Sequence, residues 1–390
     1  MNLVGDAYGF GVSESLSDWP GELPAMETRH GIVIGDARGL AELADDAVEL
    51  VVTSPPYPMV EMWDGVFGEL DSDVKTALDA GDGERAFELM HAQLDAVWEE
   101  LSRVLVDGGI ACINIGDATR SVGDSFRVYQ NHSRIIEAFK QRGFVPLPEI
   151  LWRKPVNSGT KFMGSGMVPP NAYVTLEHEY ILVFRNGTES RQLEPGADRR
   201  YEAAYFWEER NQWFSDLWTD VRGEQQTLEN GKLRERSAAF PFEIPYRLIN
   251  MYSVYGDTVL DPFWGTGTTS LAALVAGRNS LGYELESSFV DVFGDRIGSV
   301  TDLSKSVGRQ RLSDHRAFVT QRRDSGNEFE YESETYGFPV MTKQEESLQL
   351  YAVEEIAEDA ADGDWWQERI DADAAGKRHR YRATHRPIDE

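Results

Sequence analysis

The sequence is poor in cysteine and has no long apolar run. Cys112 is the single cysteine among 390 residues, so this chain can form no internal disulfide, and a reducing cytosol is the expected compartment. The residue stands in an apolar, strand-like stretch, which favours a buried structural thiol over a nucleophile. Since no run reaches the ~18 apolar residues of a membrane span, we expect no membrane partner.

Positive charge is scarce as well. The net charge is −29, and only eight of the 38 basic residues are lysines. An acid-rich surface argues against a nucleic-acid partner, because phosphate contacts depend on positive charge. The alternative is adaptation to a high-salt cytoplasm, where the screening length falls to about 3 Å at 1 M salt. Composition alone favours the first interpretation, so the choice depends on the motifs.

The first motif is Thr53-Ser54-Pro55-Pro56-Tyr57, here named the Pro-Pro loop (residues 53–57). It follows an apolar run, residues 48–52, that is typical of a buried parallel strand. The two prolines prevent the chain from continuing as a ladder strand or helix interior. The loop presents the Ser54 hydroxyl, the Pro55 carbonyl and the Tyr57 ring. Two acceptors beside an aromatic face suit a planar ring that bears an exocyclic amino group.

The second motif is a glycine turn (residues 261–269) between a buried strand and a predicted helix over 269–276. Its glycines allow close backbone approach, and the helix N-terminus offers N–H groups to an anion. The next strand ends in Glu284, where ribose hydroxyls are usually held. These features predict a cofactor site; Gly267 as a packing glycine and Glu284 as a helix cap remain alternatives. The candidate contacts are Asp261, Phe263, Gly265, Gly267, Thr268, Thr269 and Glu284.

A third strand, over residues 31–36, ends in Asp36. Its carboxylate could accept a hydrogen bond from an adenine amino group of the cofactor. Alternatively, it caps a helix predicted over 37–43. A polar stretch after Tyr57, reaching Gly83, predicts a mobile loop near the active site.

The Ser-Pro-Pro-Tyr motif resembles the catalytic loop of the amino-methyltransferases that act on cytosine N4 or adenine N6 of DNA. The Pro-Pro loop precedes the glycine turn by about two hundred residues, an order that resembles the circularly permuted beta group over roughly residues 31–295. In that arrangement the strand over 31–36 lies beside the strand that ends at Glu284.

The resemblance implies an α/β, Rossmann-like methyltransferase fold: a permuted, mostly parallel sheet with helices on both faces and a target-recognition insert. It implies S-adenosyl-L-methionine as cofactor and no metal. A Rossmann dehydrogenase would leave Ser-Pro-Pro-Tyr unused.

The resemblance also assigns site residues. Ser54, Pro55, Pro56 and Tyr57 would act on a base flipped from double-stranded DNA, and serine at the first motif position favours cytosine N4 over adenine N6. Phe240, in a family-like Phe-Pro-x-Glu helix start, would cover the cofactor, or it is a hydrophobic staple. The candidate DNA contacts are Trp152, Arg153, Lys154, Lys161, Arg210 and Arg222.

The same resemblance suggests a salt-adapted archaeal enzyme in the cytoplasm, associated with the nucleoid. It would act as a monomer or dimer, with or without a cognate restriction endonuclease. A short palindrome such as CTAG, the target of solitary methyltransferases in salt-loving archaea, is the first site to test. A non-catalytic DNA-binding relative is a rival hypothesis, but the complete cofactor motif argues against it.

Composition and motif positions divide the chain into five segments. They are a flexible N-terminal arm (1–28), a catalytic half (29–186), a target-recognition region rich in arginine and aromatic residues (187–236), a cofactor half (237–300) and a charged C-terminal extension (301–390). In the extension, arginines between 309 and 323 predict a basic patch that touches phosphate. The acidic residues 345–364 predict a solvated helix or tail, followed by a basic run over 377–386.

Overall fold

The computed structural model describes residues 26–389 apart from 42, 155–162, 194–196, 223–239 and 359–376. The strands are β1 (Met26–Ile34), β2 (Val48–Thr53), β3 (Leu105–Ile115), β4 (Ala118–Val122), β5 (Ser125–Tyr129), β6 (Phe144–Pro146), β7 (Ile150–Arg153), β8 (Met163–Gly164), β9 (Ala172–Tyr173), β10 (His178–Asn186), β11 (Leu217–Trp218), β12 (Thr258–Asp261), β13 (Asn279–Glu284), β14 (Tyr331–Glu332), β15 (Pro339–Val340), β16 (Tyr351–Glu358) and β17 (Lys377–Pro387).

One mixed sheet organises the fold. Its strand order is β11-β7-β10-β3-β2-β12-β13-β1-β17-β16, and β6 pairs with β10. The centre, from β3 to β1, is parallel, whereas β10 on one flank and β17 on the other run antiparallel to their neighbours. Strands β1 and β13 pair with Ile34 opposite Glu284, which confirms that these two strands are neighbours as expected.

Helices cover both faces of the sheet, which confirms the predicted α/β class. They are α1 (Asp64–Leu70), α2 (Ser72–Asp79), α3 (Gly83–Val104), α4 (Asn131–Gln141), α5 (Asp198–Glu202), α6 (Trp207–Trp213), α7 (Glu243–Tyr252), α8 (Thr268–Val275), α9 (Ser288–Ile297) and α10 (Val300–Asp324). Helices α1 to α4 contribute to one buried apolar cluster and α7 to α10 to another. Cys112 lies 1% exposed in β3, a buried thiol as predicted.

The helix α3 forms because its sequence supplies both a cap and an apolar face. The Asp82 side chain accepts a hydrogen bond from the backbone N–H of Arg85, which satisfies a free donor at the start of the helix. Met90, Leu94 and Leu101 recur at helical spacing and are at most 2% exposed. The helix therefore packs along the sheet and forms a wall of the site described below.

Two local predictions near the site are wrong. The described residues of the range 37–43 form turns and irregular backbone instead of a helix, because the Asp36 carboxylate accepts from the backbone N–H and guanidinium of Arg38 and closes a turn. The stretch after Tyr57, expected as a mobile loop, contains α1 and α2. Phe67 and Val74 are fully buried there, so apolar anchors outweigh the glycines and aspartates that suggested a loop.

The C-terminal extension also departs from its prediction. Strand β17 pairs with β1 along its length, from Met26 opposite His385 to Ile34 opposite Lys377, and β16 pairs with β17. The acidic stretch is therefore an edge strand over Tyr351–Glu358 and not a solvated helix or tail; its continuation lies outside the described residues. Tyr381, Ala383 and His385 alternate toward the core with period two, a pattern obscured by intervening arginines.

Arg311, one of the arginines of the predicted basic patch, is buried in the fold. Arg311 lies 9% exposed on α10, and its guanidinium Nε is 2.5 Å from the Glu209 carboxylate. This buried ion pair joins α10 to α6, so Arg311 holds the fold together and does not face phosphate. No helix among the described residues is long and apolar enough to cross a membrane.

Candidate active site

The Pro-Pro loop and the glycine turn lie side by side at one edge of the sheet. They follow β2 and β12, which are parallel neighbours with Val51 opposite Leu260, so both strands end at the same edge. The Thr53 hydroxyl donates to Asp261 Oδ1 at 2.6 Å, and the Thr269 hydroxyl donates to the Val52 carbonyl at 3.2 Å. Hydrogen bonds thus join the two motifs directly.

Asp261 lies under the turn rather than in the open site. It is 3% exposed, accepts from the Thr53 hydroxyl and the Phe263 N–H, and burial raises its pKa to about 6. It does not line the adjoining cavity. Asp261 therefore supports both loops from below instead of contacting a ligand.

A cavity of about 320 Å³ opens between the two loops, a volume within the range of small-molecule sites. Asp36, Ser54, Gly265 and Glu284 supply polar groups to its wall. The apolar part of the wall is formed by Trp63, Val66, Phe67, Leu94, Val97, Phe263 and Phe289. The arrangement suits a ligand with a flat apolar part and several hydroxyl or charged groups.

The Glu284 carboxylate is fixed at the mouth of the turn. Its Oε2 accepts from the Gly265 N–H at 2.8 Å, and its Oε1 accepts from the Glu286 N–H at 2.9 Å. Burial raises the pKa of Glu284, while these backbone donors stabilise the ionised form. Each oxygen keeps a further lone pair, so the group can also accept hydroxyl donors from a ligand.

Of the two glycines of the turn, Gly265 faces open space and Gly267 packs against a ring. A Cβ on Gly265 would have no neighbour nearer than the Phe263 carbonyl at 3.9 Å, so this residue opens onto the cavity. A Cβ on Gly267 would lie 2.4 Å from the Phe293 ring, and its φ is +75°. Gly267 is thus the packing glycine that was one of the two sequence interpretations.

Thr268 and Thr269 are also supporting residues. Thr268 is 4% exposed, and the Arg296 guanidinium donates to its hydroxyl at 3.1 Å. Thr269 is 1% exposed and bonds β2, as above. Neither lines the cavity.

Asp36 lines the cavity, and its contact with a cofactor stays a prediction. Burial raises its pKa, but hydrogen bonds and charge from Arg38 outweigh that effect and leave the pKa lowered. Phe240 is 6% exposed within the apolar cluster of α7 and α8 and does not line this cavity. Its role in covering a cofactor stays a prediction.

A polar network holds the Pro-Pro loop. The Ser54 hydroxyl donates to Tyr57 Oη at 3.3 Å, and the Tyr57 hydroxyl donates to Glu179 Oε2 at 2.9 Å. The Asn114 amide donates to both Tyr57 Oη and Glu179 Oε2 at 2.8 Å, and Lys154 Nζ is 2.7 Å from Glu179 Oε1. Burial first, then the Glu179 charge, raise the pKa of Tyr57 well above its usual value.

Backbone contacts extend this support beyond Tyr57. The Asn131 amide, at the start of α4, donates to the Pro58 carbonyl at 3.1 Å and to the Gly116 carbonyl at 2.9 Å. A Cβ on Gly116 would lie 3.1 Å from the Tyr57 ring, so the backbone there packs directly against the ring. The Tyr57 side chain is therefore held by both polar and packing contacts.

Sequence reasoning missed Asn114 and Glu179. Each lies at the end of a strand bordering the site, Asn114 in β3 and Glu179 in β10, and each is at most 8% exposed. Polar residues inside apolar strand runs were the available signal, because a buried polar group needs a partner. Their common partner, Tyr57, was visible only in the fold.

The predicted DNA contacts occupy very different places. Trp152 is 1% exposed and its indole N–H donates to the Val221 carbonyl, so it is a core residue and not a DNA contact. Arg153 is exposed and pairs with Glu177, and Lys154 belongs to the network above. Lys161 lies outside the described residues.

Arg210 and Arg222 are exposed residues of the predicted target-recognition region. Arg210 lines a cleft whose wall also includes Glu49, near the amino end of β2, and the Pro-Pro loop does not line that cleft. DNA contacts by Arg210 and Arg222 stay predictions.

The described residues contain no group of three or more histidine, cysteine, aspartate or glutamate side chains arranged to hold a metal ion. Two carboxylates of the cavity wall are bonded to protein groups: Asp36 to Arg38, and Glu284 to backbone N–H groups.

Comparison with known proteins identifies relatives over most of the chain. The family described as DNA methylase, of the N6 and N4 type, matches residues 48–295. The type II methyltransferase M.MthZI of Methanothermobacter thermautotrophicus is 52% identical over 328 residues, covering 84% of this chain and 91% of that protein. M.MjaI of Methanocaldococcus jannaschii is 51% identical over 284 residues, covering 70% of this chain and 92% of that protein.

A solved structure shares the fold. TTHA0409 of Thermus thermophilus, a putative DNA modification methylase determined in complex with S-adenosyl-L-methionine, superposes with a TM-score of 0.55 at 31% identity. The match covers 70% of this chain and 94% of that one.

Proposed function

The chain belongs to the DNA methylase family of the N6 and N4 type, and from that premise we propose that it methylates the exocyclic N4 of a flipped cytosine in double-stranded DNA. It is a DNA methyltransferase, and S-adenosyl-L-methionine is its cofactor. The observation that carries the proposal is the position of Ser54, at the end of β2 and on the wall of the cavity beside the glycine turn.

The cavity fits this cofactor. Glu284 presents a fixed carboxylate that can accept from ribose hydroxyls, and Asp36 stands on the same wall as an acceptor for the adenine amino group. Phe263 and Phe289 supply an apolar surface for a purine ring. The open space at Gly265 lets the ligand approach the backbone closely.

When bound, S-adenosyl-L-methionine supplies an electrophilic methyl group. An exocyclic amino group is a poor nucleophile because its lone pair is delocalised into the ring. Hydrogen bonds from its two N–H groups to Ser54 Oγ and the Pro55 carbonyl favour a pyramidal nitrogen and free that lone pair. The half-buried Tyr57 ring provides a stacking surface for the base, which offsets a flipping cost of a few kcal/mol.

Cytosine is proposed over adenine because serine occupies the first motif position. The test is digestion of methylated duplex to nucleosides, using the purified chain and an oligonucleotide that contains CTAG alongside genomic DNA. We expect N4-methylcytosine. Finding N6-methyladenine alone would overturn the base assignment, and finding no methylated nucleoside on any duplex would overturn the proposal.

The surroundings of the enzyme are further proposals. The relatives named above are type II methyltransferases, which supports a role in restriction-modification, with or without a cognate endonuclease. Operation in a salt-rich cytoplasm is supported by the net charge of −29, and association with the nucleoid is proposed from the DNA substrate. Methylation measured against KCl concentration tests it: an optimum at low salt would contradict the proposed adaptation.

A further inference from the structure

The polar network behind the Pro-Pro loop ends in a carboxylate to which the methyl-transfer scheme assigns no role. Glu179 is 8% exposed, accepts from Tyr57 and Asn114 and pairs with Lys154. It does not line the cofactor cavity. Its effect on the reaction must therefore pass through the side chains it contacts.

The chemistry of these groups decides which side chain donates and which accepts in each hydrogen bond of the network. An ionised carboxylate only accepts hydrogen bonds, and the Lys154 ammonium 2.7 Å away stabilises its charge. The Tyr57 hydroxyl must then donate its single proton to Glu179. For the same reason Asn114 must turn its NH₂ group toward Glu179, because its oxygen would face another acceptor.

These donor and acceptor assignments decide whether the Ser54 hydroxyl donates or accepts toward the target site. The Tyr57 hydroxyl donates its one hydrogen bond to Glu179 and accepts another from Asn114. Toward Ser54 it can therefore only accept. The Ser54 hydroxyl accordingly donates to Tyr57, at 3.3 Å. This contact is long, and such contacts often tighten when substrate binds. With its one proton directed away, the Ser54 oxygen keeps both lone pairs for the target site.

We propose that Glu179 is a positioning residue that orients the Ser54 and Tyr57 hydroxyls, so that Ser54 meets the target amino group as an acceptor. The inference rests on the proposed function. Without the carboxylate, the Tyr57 proton can turn toward Ser54, and the Ser54 proton then turns toward the substrate. The Ser54 O–H would then face an N–H of the target amino group, and the nitrogen would lose one of the two acceptors that favour its pyramidal geometry.

The decisive variant is Glu179→Gln, which keeps the shape but adds a donor. We expect kcat to fall about 10- to 100-fold, the usual loss when a group that orients an active-site residue is replaced. Equilibrium binding of S-adenosyl-L-methionine should stay unchanged, because Glu179 lies off the cavity. The matched control is Glu177→Gln, which removes an exposed carboxylate paired with Arg153 near the start of the same strand.

A double-mutant cycle separates this role from general structural support. In the Tyr57→Phe background there is no hydroxyl to orient, so Glu179→Gln should lower kcat little further. A purely structural Glu179 would cost the same in both backgrounds, and that outcome would overturn the proposal. A wild-type rate in Glu179→Gln would overturn it as well.

A measurement without turnover keeps this test independent of the proposed function. In protein labelled with ¹³C at the tyrosine ζ carbons, loss of one resonance in Tyr57→Phe identifies Tyr57. Glu179→Gln should shift that resonance, and Glu177→Gln should not. An unmoved resonance would exclude the orienting role even if the enzyme proved to act on another base. If the wild-type protein proved inactive but Glu179→Gln still shifted the Tyr57 resonance, only the proposed function would be contradicted.

Discussion

The Pro-Pro loop and the glycine turn lie at the same edge of the sheet but are held by different interactions. The first depends on directed hydrogen bonds from Tyr57, Asn114 and Glu179. The second has hydrogen bonds to Asp261 and Glu284 but depends more on packing, with Gly267 against Phe293 and Trp264. Substitutions in the first should therefore change rate with little loss of stability, whereas those in the second should change stability and cofactor affinity.

The largest expected effect is that of Ser54→Ala. Loss of an acceptor used in the transition state should lower kcat about 100- to 1000-fold. Cofactor affinity, measured by calorimetry, should change little because most of the cavity wall remains. The control is Ser102→Ala, which removes a surface hydroxyl of α3 that bonds only the Glu99 carbonyl of its own helix. A rate equal to wild type would remove Ser54 from the mechanism.

The glycine turn offers a paired test. Gly267→Ala should destabilise the fold by about 3 kcal/mol, because its Cβ would overlap the Phe293 ring. Gly265→Ala adds only backbone strain of about 1 kcal/mol but projects a methyl toward the cavity. Thermal unfolding with and without cofactor should show Gly267→Ala losing mainly stability and Gly265→Ala mainly affinity. Equal effects on both quantities would contradict the division.

A small effect is expected from breaking one of the hydrogen bonds that join the two regions. Thr53→Val removes the hydroxyl that donates to Asp261, at an expected cost of about 1–2 kcal/mol in unfolding free energy. The cost should be greater above about pH 6 than at about pH 5, because a hydrogen bond to the ionised carboxylate is the stronger one. Urea unfolding at the two pH values measures it.

The pH dependence has a definite sign. Burial raises the folded-state pKa of Asp261 to about 6, above its ordinary 3.8, so the folded protein holds this proton more tightly than the unfolded chain. This group therefore lowers stability as pH rises from about 4 to 6, by about 3 kcal/mol in total, with no further change above. Asp261→Asn should remove this group's contribution to the slope and abolish the pH dependence of Thr53→Val; an unchanged slope would assign it to other groups.

Much of the site was predictable from local sequence. The Pro-Pro loop, the glycine turn and Glu284 each follow an apolar strand, and parallel strands bring their carboxyl ends to one edge. Arg311 and Trp152 show where such reasoning fails. Both belong to residue types common in nucleic-acid contacts, yet burial places one in an ion pair and the other in the core.

The C-terminal strand shows the same limit. The sequence identifies β17 only as a basic run over 377–386. Pairing with β1 makes it part of the sheet, with Tyr381 and His385 buried. Thr28 and His385, which bond each other there, are 357 positions apart. The choice of β1 as the partner strand leaves no local signal, because the partner provides the hydrogen bonds from a distant part of the chain.

The sequence by itself determined the fold class, the order of the two motifs and the candidate residues for methyl transfer, because each depends on short-range patterns of apolar, glycine and proline residues. Only the tertiary structure decided which motif residues line the cavity and which support the loops. It alone brought Glu179 and Asn114 to Tyr57 from separate strands. A hydrogen bond depends on distance and direction in space, and the chain order of Ser54, Asn114 and Glu179 contains neither.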